Sequence, residues 1–181
     1  MIPEPSAPPS RAPVIEVVGL STRFGESRVH EDIHLTVYRG EVFALAGGNG
    51  CGKSTLLREI VMLQKPTAGA IRLLGTDVVS AGAAEGGALL RRCGIMFQYG
   101  ALFSSLTVTE NVSAPLREHT RLGRKLIREI AEIKIALVGL PPDSGGKYPN
   151  ELSGGMRKRA AMARAIALDP EILFLDERPS G

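Results

Sequence analysis

The 181-residue sequence has two cysteines, three histidines and a net charge of only +3, and no apolar run approaches the roughly 20 residues needed to cross a bilayer. Each shortage excludes something. Cys51 and Cys93 have no metal-ligand spacing and build no disulfide framework, so both read as reduced thiols. With 22 basic residues against 19 acidic ones, the chain lacks the concentrated basic footprint of a dedicated nucleic-acid binder, and no nucleic-acid partner is expected. No basic segment followed by an apolar one opens the chain, so a cytosolic protein is expected, free to dock on something embedded in a membrane.

What is present fits one folded domain, with 44% hydrophobic residues. Residues 1–13 hold five of the twelve prolines and read as a disordered tail; residues 14–181 read as the domain. Val14–Leu20 and Asp32–Val37, where Ile33, Leu35 and Val37 alternate with polar neighbours, predict strands of a half-exposed antiparallel sheet. Glu41–Gly47 is apolar almost throughout and predicts a strand buried on both faces, as in a parallel sheet. A helix is expected from Lys53 to about Met62, a short strand over Gly69–Gly75 and a surface loop over Ser80–Ala88. Leu126, Ile130, Ile133 and Leu137 recur at helical spacing within 124–138, before Gly139 and two prolines. A second helix is expected over 154–168, broken by Asp169-Pro170 ahead of another buried strand in Glu171–Glu177. Strands alternating with helices indicate an α/β fold with a largely parallel central sheet.

Gly47-Gly48-Asn49-Gly50-Cys51-Gly52-Lys53-Ser54-Thr55 has the full spacing of a phosphate-binding loop, placed between a predicted strand and a predicted helix. Glycines let the backbone wrap closely enough for its N–H groups to face phosphate oxygens, and the helix adds its positive end. Lys53 would reach the β- and γ-phosphates and the Ser54 hydroxyl would ligate Mg²⁺. Four apolar residues, Ile172 to Leu175, place Asp176 at a strand's carboxyl end, where it can hold the Mg²⁺ water shell, and Glu177 can then polarise an attacking water as general base. Taken alone, the acidic pair could be a loop start with a helix cap; beside the glycine loop it specifies nucleoside-triphosphate hydrolysis.

Leu152-Ser153-Gly154-Gly155 opens a basic helix shortly before the Asp176-Glu177 strand, and this arrangement resembles the signature of ATP-binding-cassette (ABC) ATPases. Ser153 is a good N-cap, and Gly154 and Gly155 expose N–H groups at a helix start. The resemblance covers nearly all of 14–181. It implies a P-loop NTPase domain of the ABC type, with a mainly parallel core sheet, an antiparallel β subdomain and an α-helical subdomain over about 98–165. It also implies that Ser153, Gly154 and Gly155 face the γ-phosphate held by a second, identical subunit in a head-to-tail dimer. Gln98 resembles the Q-loop glutamine that senses γ-phosphate and Mg²⁺, and Phe24 the aromatic that stacks on adenine.

The flank Phe97–Thr120, together with Met156 after the two glycines, resembles the ATPase subunits of Mla/Mce-type phospholipid transporters. Those sit on the cytoplasmic face of the inner membrane, paired with a permease of the MlaE type and often with a STAS-domain protein. The function so implied is ATP hydrolysis energising lipid transport. An importer of amino acids or other small solutes, a soluble ABC protein acting on ribosomes or DNA, and a nucleotide-binding fragment without hydrolysis are the competing readings. Arg178 and Pro179 depart from the family's Asp-Glu-Pro-Thr-Ser-Gly run, and an added cation beside Glu177 would lower its basicity. The family's D-loop and later histidine do not occur, and His30, His34 and His119 are not placed to substitute, so a C-terminally incomplete ATPase is expected. Cys51 admits two readings, a redox-sensitive thiol in the loop or a small residue that fits.

Overall fold

The computed structural model describes residues 12–48, 50–97 and 100–176. The tail up to Arg11, and Asn49, Gln98, Glu177, Arg178 and Pro179, on which several expectations fall, lie outside the described residues. The chain divides into two compact units, Met1–Leu89 and Leu90–Gly181.

In the first unit, strands β1 (Pro13–Phe24) and β2 (Ser27–Tyr38) form an antiparallel hairpin, and β3 (Ala68–Leu73) and β4 (Thr76–Asp77) extend it in the order β2-β1-β3-β4. Along β1 the buried residues are Val14, Ile15 and Val17, then Leu20 and Thr22. The step from 17 to 20 breaks a strict alternation because the register with β2 shifts between Val17 and Leu20, where Gly19 takes a φ of +60°. That bulge puts Thr22 on the buried side. Helix α1 (Lys53–Ile60) packs against β3 and buries Leu56, Leu57 and Ile60. Ile71 and Leu73 of β3 are fully buried.

Two expectations for this unit fail. Glu41–Gly48 forms no strand; Val42 is 99% exposed, and Phe43 and Leu45 are exposed as well. A strand buried on both faces exists only between neighbours that take its backbone hydrogen bonds, and among the described residues no strand pairs with this run. Ser80–Ala88 is not a simple loop, for helix α2 spans Ala83–Leu90. Its glycines cost helix stability, but Gly86 sits under Met62, where a Cβ would meet the sulfur at 3.0 Å, and Leu89 is buried. Packing therefore overrides propensity.

The second unit holds β5 (Cys93–Met96), paired in parallel with β6 (Ile172–Leu175), and three helices, α3 (Val108–His119), α4 (Arg124–Leu137) and α5 (Gly154–Ala165). Only Phe174 of β6 is buried while Leu173 and Leu175 are exposed, so this strand is covered on one face rather than two. The expected parallel sheet is thus two-stranded among the described residues, and the larger sheet is antiparallel. Val112 and Leu116 of α3, Ile127 and Ile135 of α4 and Ala160 and Ala163 of α5 share one apolar cluster. The expected stripe of α4 is only partly its buried face: Ile130 packs half-buried against the cluster, but Leu126, Ile133 and Leu137 are exposed, and Ile127, Ala131 and Ile135 are buried instead. The helix carries two adjacent apolar stripes, and packing against α3 and α5 admits the narrower one.

Helix α3 went unread in the sequence. Thr107 caps it in a reciprocal box with Glu110, whose carboxylate accepts from the Thr107 N–H at 2.8 Å and hydroxyl at 2.9 Å and is held below the usual range by those two bonds. One turn on, the buried Asn111 folds the preceding chain around itself. Its Oδ1 accepts from the Phe103 N–H at 2.8 Å, and its amide donates to the carbonyls of Phe103, Leu106 and Thr107 at 3.1, 2.9 and 3.0 Å. Asn111→Ala orphans the Phe103 N–H and the Leu106 carbonyl and takes a second donor from the carbonyls of Phe103 and Thr107, so a loss of about 2–3 kcal/mol in unfolding free energy is expected from urea titration.

Candidate functional site

The glycine loop opens with Gly47 and Gly48 and delivers the chain to α1 through Gly50 and Gly52, whose φ values are +81° and +92°. Gly52 is the N-cap of α1. A Cβ there would stand 2.8 Å from Val29 Cγ1 and would run into the His30 ring, so both backbone angle and space demand glycine. At Gly47 a Cβ would meet Cys51 Sγ at 2.6 Å. The Lys53 ammonium folds back over the loop and donates to the carbonyls of Gly47 at 2.6 Å and Gly48 at 2.8 Å, with Cys51 Sγ at 3.4 Å. Among the described residues, the loop's one cation is tethered by neutral carbonyl and thiol acceptors. Ser54 and Thr55 follow in the first turn of α1, both half-buried. Phe24, at the end of β1, is 51% exposed and keeps its ring available.

In the second unit, Asp176 directly follows β6, and its N–H donates to the Met96 carbonyl at 2.9 Å, carrying the β5–β6 ladder to the carboxylate-bearing residue. Ser153 caps α5 as the sequence predicts, its hydroxyl accepting from the Met156 N–H at 3.3 Å. Gly154 and Gly155 are exposed, with open space where a Cβ would stand. The helix start therefore offers backbone N–H groups to an incoming anion with no side chain in the way. Among the described residues, no group of three or more His, Cys, Asp or Glu could hold a metal ion by itself.

Sequence reasoning missed three contributors. Arg164 of α5 donates to the carbonyls of Ala101 at 2.8 Å and Gly100 at 3.0 Å and stacks over Phe103 at 5.6 Å, tying the segment after Gln98 to the helix that Ser153 caps. Burial lowers the arginine's pKa. The other two, His30 and Glu59, lie buried beside the glycine loop. The available signal was the position of Glu59 on α1, three residues after Leu56 and next to Ile60, on the helix's apolar face.

Residues 30–180 match the ABC transporter family, and the chain belongs to it. It is 47% identical over 167 residues to the probable ribonucleotide transport ATP-binding protein mkl of Mycobacterium bovis, covering 92% of this chain and 46% of that protein. To the intermembrane phospholipid transport system ATP-binding protein MlaF of Haemophilus influenzae it is 40% identical over 168 residues, covering 93% and 63%. To the sulfate/thiosulfate import ATP-binding protein CysA of Synechococcus elongatus it is 41% identical over 173 residues, covering 94% and 47%. The chain thus spans about half the length of the curated relatives it matches. Among solved structures it is similar to the dimeric post-hydrolysis state of the ATP-binding cassette MJ0796 bound to ADP and Pi, with TM-score 0.82 and 30% identity over 88% of this chain and 72% of that one.

The two thiols differ sharply in setting. Cys51 is exposed, whereas Cys93 in β5 is partly covered and burial pushes its pKa up to about 11. At pH 8 a thiol-disulfide reagent should therefore label Cys51 on the order of a hundredfold faster than Cys93. In guanidinium the two rates should converge.

Proposed function

We propose that the chain is the nucleotide-hydrolysing part of a transporter ATPase that energises phospholipid movement at the inner membrane. The observation that carries the nucleotide reading is the glycine loop at the head of α1, with Lys53 bound, among the described residues, to the loop's own carbonyls and a thiol. An entering triphosphate offers charged oxygens in place of neutral ones, and charge-assisted bonds are about twice as strong, so Lys53 transfers to the β- and γ-phosphates. Backbone N–H groups of Gly48, Asn49, Gly50, Cys51, Gly52, Lys53, Ser54 and Thr55 complete the cradle, and Phe24 stacks on the adenine. Ser54 and Asp176, with Gln98, would hold Mg²⁺, which supplies charge neutralisation on the phosphates. Glu177 orients and deprotonates the attacking water, and Gln98 reports the γ-phosphate.

The dimeric state of MJ0796 supports a head-to-tail homodimer in which Ser153, Gly154 and Gly155 of one copy meet the γ-phosphate held by the other. The exposed stripe Leu126, Ile133 and Leu137 on α4 supports docking to a permease of the MlaE type. Each such side chain left in water forgoes about 1.5–3 kcal/mol of burial, which a partner recovers. No helix among the described residues is long and apolar enough to cross a membrane, so the proposed location is peripheral, on the cytoplasmic face, with a STAS-domain protein as a further companion.

The lipid branch rests on the flank Phe97–Thr120 and on the similarity to MlaF. The similarity to CysA favours a second reading, the ATPase of a small-solute importer. Copurification decides between them: phospholipid retained with the assembled transporter supports the first, and hydrolysis stimulated by a small solute supports the second. In the full-length protein, Lys53→Ala should weaken Mg·ATP binding by at least about tenfold, while Glu177→Gln should leave binding intact and cut turnover by about a hundredfold or more. Equal turnover in Glu177→Gln and the parent would remove the assigned general base.

A further inference from the structure

Beside the glycine loop runs a chain of polar groups in a region that is otherwise apolar. Thr22 of β1, His30 of β2 and Glu59 of α1 are all buried, and the side chains of His30 and Glu59 are 5% and 0% exposed. The Thr22 hydroxyl donates to Glu59 Oε1 at 2.6 Å. Glu59 Oε2 faces His30 Nδ1 at 3.3 Å, and among the described residues neither atom has a hydrogen-bond partner. On its far side, His30 Nε2 lies 3.1 Å from the carbonyl oxygen of Gly52.

One donor follows from these contacts. A carbonyl oxygen only accepts, so Nε2 donates to Gly52. The ring is held to Gly52 through Nε2 and bounded on its other side by the Glu59 carboxyl, which Thr22 in turn anchors.

The Gly52 carbonyl also accepts the first helical bond of α1, from the Leu56 N–H at 2.9 Å. Both of its lone pairs are therefore engaged. Because the peptide unit is planar and trans, the N–H of Lys53 points opposite to the Gly52 carbonyl. Fixing one fixes the other. We propose that His30, oriented by Glu59 and Thr22, is a positioning residue of the phosphate loop: by holding the Gly52 carbonyl it aims the Lys53 backbone N–H at the bound phosphate. The proposal rests on the nucleotide reading above and adds to it a role for residues that never touch the nucleotide.

Energetics explain why stability alone does not account for the trio. A buried His–Glu pair pays a desolvation penalty, and apolar side chains of similar volume commonly replace such groups at no loss of stability. Positioning gives the pair a function that an apolar core would not serve.

The test measures Mg·ATP affinity by calorimetry and thermal midpoint on the same full chain. His30→Leu alone strands the Glu59 carboxyl and can unfold the unit, so the informative variant is Thr22→Val/His30→Leu/Glu59→Leu, which removes every member together. It should melt no lower than the parent yet bind Mg·ATP about tenfold more weakly, and the single variant His30→Gln, whose amide can still donate to Gly52, should stay within about threefold of the parent. Lys53→Ala serves as the reference for loss of the site. Parent binding that disappears in Lys53→Ala but is unchanged in the triple variant overturns the positioning role alone. A parent chain that binds no Mg·ATP overturns the nucleotide reading and this proposal with it.

Discussion

A loop that presents its backbone N–H groups to an anion cannot use those same groups to hold itself together. The glycine stretch between Gly47 and Gly52 is subject to this constraint, and its carbonyls take up the task. Lys53 gathers the carbonyls of Gly47 and Gly48, while Leu56 and His30 share that of Gly52. Among the described residues the loop is secured mainly through its acceptors, with one internal donor, the Cys51 N–H, on the Gly48 carbonyl at 3.4 Å. Much of the first unit serves the same end, since the bulge at Gly19 turns Thr22 inward and β2 carries His30 to the cap of α1.

The second unit solves a related problem with side chains. The segment from Gly100 to Thr107 has little regular structure of its own, and its backbone groups are answered by Arg164 and Asn111, each from a helix of the apolar cluster. A residue placed near Gln98 is thereby tied to the same helix that begins with Ser153, Gly154 and Gly155. Signals at the two ends of α5 have a covalent path of three turns between them.

The parts legible in the sequence were those set by local chemistry. Positive-φ glycines, the Ser153 cap, the period-2 burial along Ile33, Leu35 and Val37 of β2 and the start of α1 follow from nearest neighbours along the chain. Features set by partners were not legible. Glu41–Gly47 reads as a buried strand because its composition matches one, yet strand structure comes from flanking ladders, and none of the described strands flanks it. On α4, two apolar stripes compete, and packing against both α3 and α5 decides which is covered. Thr22, His30 and Glu59 are 37 positions apart at their extremes, and no spacing rule joins a threonine, a histidine and a glutamate on three elements. Glycines in α2 mislead for a similar reason, since Met62 supplies the contact that makes Gly86 acceptable there.

The two sheets also differ in how far along the chain their pairings reach. β1 and β2 are joined by a two-residue turn, whereas the Arg92–Glu171 ion pair at the head of the parallel pair closes across 79 positions. During synthesis the hairpin, and with it the histidine that holds the phosphate loop, can assemble as soon as it clears the ribosome. β5 must wait, edge open, until the three helices and β6 have followed, because loop-closure entropy is paid before any long-range contact returns it. The unit with the glycine loop is thus the early folder, and the late one carries the strand that leads to Asp176.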